Sequence, residues 1–190
     1  MAKKYEFRPD RPYSGFWGKL FLTRQQRRNV LKWTLYALAL VALSVLQDVL
    51  LCRVRIFGAT TELVPCGIFL ICLLEGMESG CIFALVSAFL YYFSGSSPGL
   101  YSVTVLTFLA IGATWVRQSW LQRGFRAAML CTAAAMVLYT LVCFAIGVFL
   151  GLTTFGRIGS FLLSALLTMV AAPAIYPVLK AIGGGDIWKE

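Results

Sequence analysis

Histidine is missing altogether from these 190 residues, and charge is scarce. Asp, Glu, Lys and Arg make up 13% of the chain, about half the roughly 25% of ordinary soluble domains. Without histidine the commonest general base is gone, and with it Ser-His and Cys-His nucleophilic catalysis. Six cysteines are present (Cys52, Cys66, Cys72, Cys81, Cys131 and Cys143). No two form a CxxC pair, which removes the usual frame of a zinc or iron–sulfur site. A cysteine inside an apolar run behaves as a small hydrophobe. Only eight acids occur, and no pair of them has the setting of a general acid and base. The turns SGSSPG and GLYS lack the GK[ST] of a phosphate-cradling loop. The chain therefore reads as a non-enzyme, with no cofactor and no metal.

What the chain has instead is apolar bulk. Hydrophobic residues reach 59%, against roughly 45–50% in soluble proteins, so an all-α integral membrane protein is expected. Nine of the seventeen basic residues fall within the first 32 positions: Lys3, Lys4, Arg8, Arg11, Lys19, Arg24, Arg27, Arg28 and Lys32. A basic cluster just ahead of an apolar span reads as a cytoplasmic anchor facing the anionic lipid bilayer. No RNA- or DNA-binding module accompanies it, which argues against nucleic acid. The first apolar run starts near residue 33 and lasts about 19 residues. That is too long for a signal h-region of roughly 7–15, so it reads as a retained span.

Three regions follow from this. Residues 1–32 form a basic tail, in which YSGFWGKLFL (13–22) is expected to lie in the interface with Phe16, Trp17, Leu20 and Phe21 inserted. Residues 33–182 form the membrane domain, and 183–190 a flexible tail. Within the membrane domain the apolar runs are 33–51, 63–93, 101–116, 127–150 and 158–182. The second, at 31 residues, would make a helix of about 46 Å, well beyond a hydrocarbon core of roughly 30 Å. Its centre, LLEGMESG, holds Glu75, Gly76, Glu78 and Gly80, so a break there is expected. The left half, 63–74, is then short for a span, and needs Thr61, Glu62 and Glu75 at the interfaces or a locally thinned bilayer. The positive-inside rule supports the break. Six spans with a cytoplasmic N-terminus place fourteen basic residues inside and three outside, whereas five spans give ten and seven. Both termini are then cytoplasmic.

Asp48 is the one acid within an apolar run, where an ionisable group is costly. It lies near the end of its run, so pairing with Arg53 or Arg55 competes with contact to a partner helix or ligand. Gly76 and Gly80 form a GxxxG whose spacing suits close helix approach, but it overlaps the expected turn and either role stands. Pro173 and Pro177 are expected to kink the last helix.

The order of motifs along the chain carries a resemblance. Gln47 stands in LQxxLL, followed by Ile56-Phe57-Gly58 and then Glu62-Leu63. Glu75-Gly76 with Gly80 gives EGxxxG. Ser94-Gly95 with Pro98, Gly99 and Leu100 gives SGxxPGL, and AAPAIYPVLK (171–180) closes the series. Together, over about 33–182, these resemble the rod shape-determining protein MreD family of bacteria. The chain departs from the family pattern at Thr61-Glu62, where Pro-Asp is usual, and at Tyr91-Tyr92, where an Asp often precedes the turn. The resemblance implies a six-helix bundle in the bacterial cytoplasmic membrane, similar to the S-component fold of energy-coupling-factor transporters. It implies a non-enzymatic scaffold that binds MreC and helps couple MreB filaments to the cell-wall polymerase and transpeptidase; homodimerisation stays open. On this basis the candidate structural and contact residues are Gln47, Asp48, Gly58, Glu62, Glu75, Gly76, Gly80, Gly95, Pro98, Gly99 and Pro173. The alternative is a vitamin-binding S-component. Against it, the alanines of the first span, Ala37, Ala39 and Ala42, never fall four apart, whereas an AxxxA is frequent in that group.

Overall fold

The computed structural model describes residues 24–49, 59–120 and 124–183. Among them are six helices and no strand: α1 (Arg24–Val49), α2 (Leu63–Glu75), α3 (Met77–Phe93), α4 (Tyr101–Trp120), α5 (Phe125–Phe149) and α6 (Ile158–Gly183). A short 3-10 turn, Phe155–Arg157, leads into α6. Three of these stretches, within α1, in α5 and from the turn through α6, are long and apolar enough to cross a membrane, and α2 and α3 are shorter apolar helices. The chain is accordingly an all-helical membrane protein.

The long central run does break, and the break is at Gly76. Its φ of +94° and ψ of −177° form a backbone state that is essentially restricted to glycine. Four residues on, Gly80 makes a different contribution. A Cβ there would stand 3.0 Å from the Cys72 Cα and 3.1 Å from its carbonyl oxygen. The two glycines of the GxxxG thus divide the roles between them: Gly76 turns the chain, and Gly80 lets α3 return tightly against α2. The Cys72 thiol donates to the Gly80 carbonyl at 3.1 Å, which ties the two backbones together.

The shortness of α2 has a structural reason. Thirteen residues rise only about 20 Å, but α2 touches each of the other five helices. Eleven of its thirteen residues are buried. It is the axis of the bundle, so its ends need not reach headgroups; other helices cover them. Phe69 and Tyr139 meet edge-on at 6.4 Å between α2 and α5, and Phe125 and Tyr176 do so at 4.9 Å between α5 and α6.

The first helix begins nine residues ahead of the expected span, so Arg24, Arg27, Arg28 and Lys32 continue the helix that crosses. The interfacial reading of residues 13–22 and the 183–190 tail, apart from Gly183, lie outside the described residues. The last helix runs through Pro173 and Pro177 without interruption. Each proline removes one backbone donor from the helix ladder. Both are exposed, away from the core side of α6.

Candidate functional site

The two ends of α2 carry most of the polar structure. At its C-terminal end, Glu75 accepts a hydrogen bond from the Tyr36 hydroxyl at 2.7 Å through Oε1 and an ion pair from Lys32 through Oε2. A carboxylate at a helix C-terminus faces the negative end of the helix dipole, and Lys32 of α1 offsets that. Trp33, Tyr36 and Phe83 pack as three tilted rings beside the pair, with centroids 5.2 to 6.1 Å apart. Gly183 at the end of α6 closes the cluster: a Cβ there would collide with the Tyr36 hydroxyl and come within 3.0 Å of Glu75 Oε1. A cavity of about 520 Å³ opens alongside, lined by Leu73, Leu74, Glu75, Gly76, Thr114, Arg117 and Gln118. Of these partners only Glu75 and Gly76 were legible in the sequence. Lys32, Tyr36 and Gly183 lie 39 or more residues away and carry no local signal.

At the N-terminal end of α2, Gln47 supplies a cap from another helix. Its Oε1 accepts from the Val64 N–H at 3.1 Å, satisfying one of the free donors of the first turn. Glu62 occupies the N-cap position but makes no capping bond with its side chain. Its own backbone N–H donates to the Thr168 hydroxyl at 3.0 Å, and the Ser164 hydroxyl donates to the Thr60 carbonyl. The Glu62 Oε2 is enclosed with no hydrogen-bond partner among the described residues, as are the Thr61 and Tyr139 hydroxyls. This carboxyl stands in the connection ahead of α2, and burial pushes it up to about 7.

Asp48 is exposed one residue further along α1. Its Oδ1 accepts from Ser96 at 2.7 Å and its Oδ2 from Ser44 at 3.5 Å. Ser96 belongs to the α3–α4 turn, so this contact ties α1 to that turn. The turn itself is stitched by its serines. Ser102 donates to the Gly99 carbonyl at 2.7 Å, and Ser97 pairs with Ser102. Gly95 has a φ of +76°, while at Gly99 a Cβ would stand 2.7 Å from the Tyr101 ring. Pro98 is exposed between them. A polar pocket of about 410 Å³ collects Gln47, Asp48, Thr60, Thr61, Ser94, Gly95 and Ser96. Four of the candidate positions thus converge at this end: Gln47, Asp48 and Gly95 line the pocket, and Glu62 adjoins it in sequence. Gly58 and the proposed Asp48 partners Arg53 and Arg55 lie outside the described residues, and Pro173 sits on the exposed side of α6.

Among the described residues α1 and α3 meet at Trp33, Tyr36 and Phe83 and part beyond them. An apolar groove of about 450 Å³ runs there, walled by Ala37, Val41 and Val45 of α1 and by Val86, Leu90 and Phe93 of α3. Phe83 and Val86 continue it into a shallower cleft with Trp33, Ser79 and Ile82. At the other end Ser94 joins it to the polar pocket beside Asp48.

No family model, curated protein or solved structure matches this chain. Its function is therefore read from this geometry and from the sequence motifs.

Proposed function

We propose that this chain is a non-enzymatic, six-span scaffold of the bacterial cytoplasmic membrane, acting in cell elongation as the MreD resemblance implies. In this reading both termini are cytoplasmic. The bundle holds MreC and positions the cell-wall polymerase and transpeptidase, with MreB reached indirectly.

One observation carries the proposal. Among the described residues, eight buried side chains, Gln47, Ser87, Ser102, Thr114, Thr132, Thr140, Ser164 and Thr168, each bond to backbone. Five of these bonds return to a carbonyl four residues earlier on the same helix, a common way for Ser and Thr to satisfy themselves in a span. Apart from the Glu62 Oε2 and the Thr61 and Tyr139 hydroxyls, interior polarity among the described residues is spent on holding helices and connections in place, which supports a positional role. The second reading, a small-molecule S-component, is favoured by one feature, the polar pocket at Gln47, Asp48 and Ser96, since ligand sites need convergent polar groups.

Purification from the native membrane in gentle detergent separates the two. Enrichment of MreC or a cell-wall synthase, with loss of rod shape on depletion, is the expected result. Enrichment of an ATPase-linked energising subunit, or a bound vitamin, would overturn the scaffold and assign the pocket to substrate.

A further inference from the structure

The α1–α3 groove has the chemistry of a seat for one more helix. On α1 its wall is formed by residues 37, 40, 41, 44 and 45, and on α3 by 83, 86, 87, 90, 91 and 93, with Ser94 just beyond the helix end. Both series follow the three-and-four spacing of a single helical face. From Trp33 to Asp48, α1 rises about 23 Å, most of a hydrocarbon core of roughly 30 Å. The walls alternate bulk with small residues, Ala37, Ser44 and Ser87, which let a third backbone approach closely. Ser94 joins the apolar groove to the polar pocket that holds an exposed carboxyl, Asp48, whose partners among the described residues are two serine hydroxyls.

We infer that this groove docks one apolar transmembrane helix of a partner protein, bearing a basic or hydrogen-bond-donating side chain level with Asp48. The inference rests on the scaffold reading and names the surface that performs it. A donor brought to Asp48 gains a hydrogen bond, and a carboxyl in a membrane helix calls for such a partner. A phospholipid fits this seat less well, because its phosphate would meet the Asp48 carboxylate as a like charge. A second copy of the chain would set one concave face against another, and an isologous interface needs self-complementary surfaces.

The test is site-specific photo-cross-linking in native membranes, with a benzophenone side chain at Ile82, Val86 or Val45. A control position is Val170, exposed on α6. Adducts from the three groove positions should map to successive turns of one predicted membrane helix in a partner. Their yield should exceed that from Val170 at least tenfold. That helix should carry Arg, Lys, Ser, Thr or Asn at the register of Asp48. Ala37→Trp, which fills an exposed part of the groove, should lower the yield tenfold or more, while Leu138→Trp on exposed α5 surface should not. Asp48→Ala should lower it several-fold. Adducts to lipid, to a second copy, or to residues 1–23 of the same chain would overturn the proposal, as would equal yields from Val170. If MreC co-purifies but the groove gives no adduct to it or to another partner's membrane helix, the docking surface is wrong and the scaffold stands. If no elongation protein co-purifies, the scaffold reading itself fails.

Discussion

Glu75 and Glu62 stand at opposite ends of the same thirteen-residue helix, and the structure treats them in opposite ways. Glu75 is placed against the unfavourable end of the helix dipole yet has a lysine and a tyrosine on its two oxygens. Glu62 is placed at the favourable end yet one of its oxygens is enclosed and has no bond among the described residues. Partners therefore matter more than the dipole, whose contribution is typically 0.3–1 kcal/mol. The Glu75 end is a fastening, joining α1 to α2 through charge and hydroxyl, with α6 packed against the pair at Gly183. The Glu62 end is assembled by groups other than the carboxylate: Gln47 caps the helix, and Ser164 and Thr168 hold the chain that enters it.

The comparison breaks most completely if the Glu75 end cannot form. Gly80→Leu puts a side chain where even a Cβ is at 3.0 Å from the Cys72 backbone. Overpacking against backbone with no flexible side chain to yield is expected to cost more than about 3 kcal/mol. Size-exclusion profiles in detergent should show aggregated or absent protein, and a monodisperse peak at the wild-type melting temperature would contradict this.

At the other end the sign reverses. The Glu62 carboxyl is raised from 4.5 to about 7 in the folded chain, so the folded state binds its proton more tightly than the unfolded state does. Its contribution is fully present below the unfolded value near 4.5, and is lost as pH rises through about 7. At about 1.4 kcal/mol per unit the loss amounts to roughly 3 kcal/mol. Glu62→Gln should therefore raise the melting temperature at pH 8, leave it nearly unchanged at pH 4, and flatten the dependence between them. A variant with the same pH slope as wild type would show that Glu62 is solvated or paired.

Between these lies the ion pair itself. Glu75→Gln keeps an acceptor for Tyr36 but leaves the Lys32 ammonium without a counter-charge. Lys32 is 24% exposed and can turn toward water, so the expected loss is only about 1–2 kcal/mol rather than the 3–5 of a fully buried pair. Lys32→Met combined with Glu75→Gln should be less destabilising than the two singles added together, which thermal unfolding of all four proteins measures as a coupling. Strict additivity would mean that the pair contributes nothing to the fastening.

Much of the fold was written in local sequence signals. The split at Gly76, the turn at 94–100 and the starts of α2 and α6 follow from glycine, proline and apolar run length. The early start of α1 was not visible, because Arg24 to Lys32 are good helix formers that give no hydropathy contrast with a polar tail. Nor was the central place of α2. An apolar helix reads the same whether lipid or protein surrounds it, so its shortness pointed to Thr61, Glu62 and Glu75 at the interfaces or to a thinned bilayer, and not to a sheath of neighbours. The candidate site was legible at its motif positions but not in its pairings. Glu75 was marked by its setting, while Lys32, Tyr36 and Gly183 come from distant segments. Asp48 was left open between nearby arginines, which lie outside the described residues, and a partner or ligand; among the described residues it bonds Ser44 and Ser96.

The smallest effect tests how far the Glu62 end depends on residues other than Glu62. Gln47 is buried, and its amide oxygen bonds the Val64 N–H across the α1–α2 junction. An N-cap acceptor is typically worth about 1 kcal/mol, and a buried donor left unmade costs a similar amount. Gln47→Ala should thus destabilise by about 1 kcal/mol at every pH, because nothing that titrates has been removed. Gln47→Glu preserves the acceptor but sets a third carboxyl close to Glu62 and Asp48. Its stability should match wild type at pH 4 and fall below Gln47→Ala at pH 8. If Gln47→Ala is neutral, water or Glu62 itself caps α2, and the carboxyl that looks unpaired has a structural partner after all.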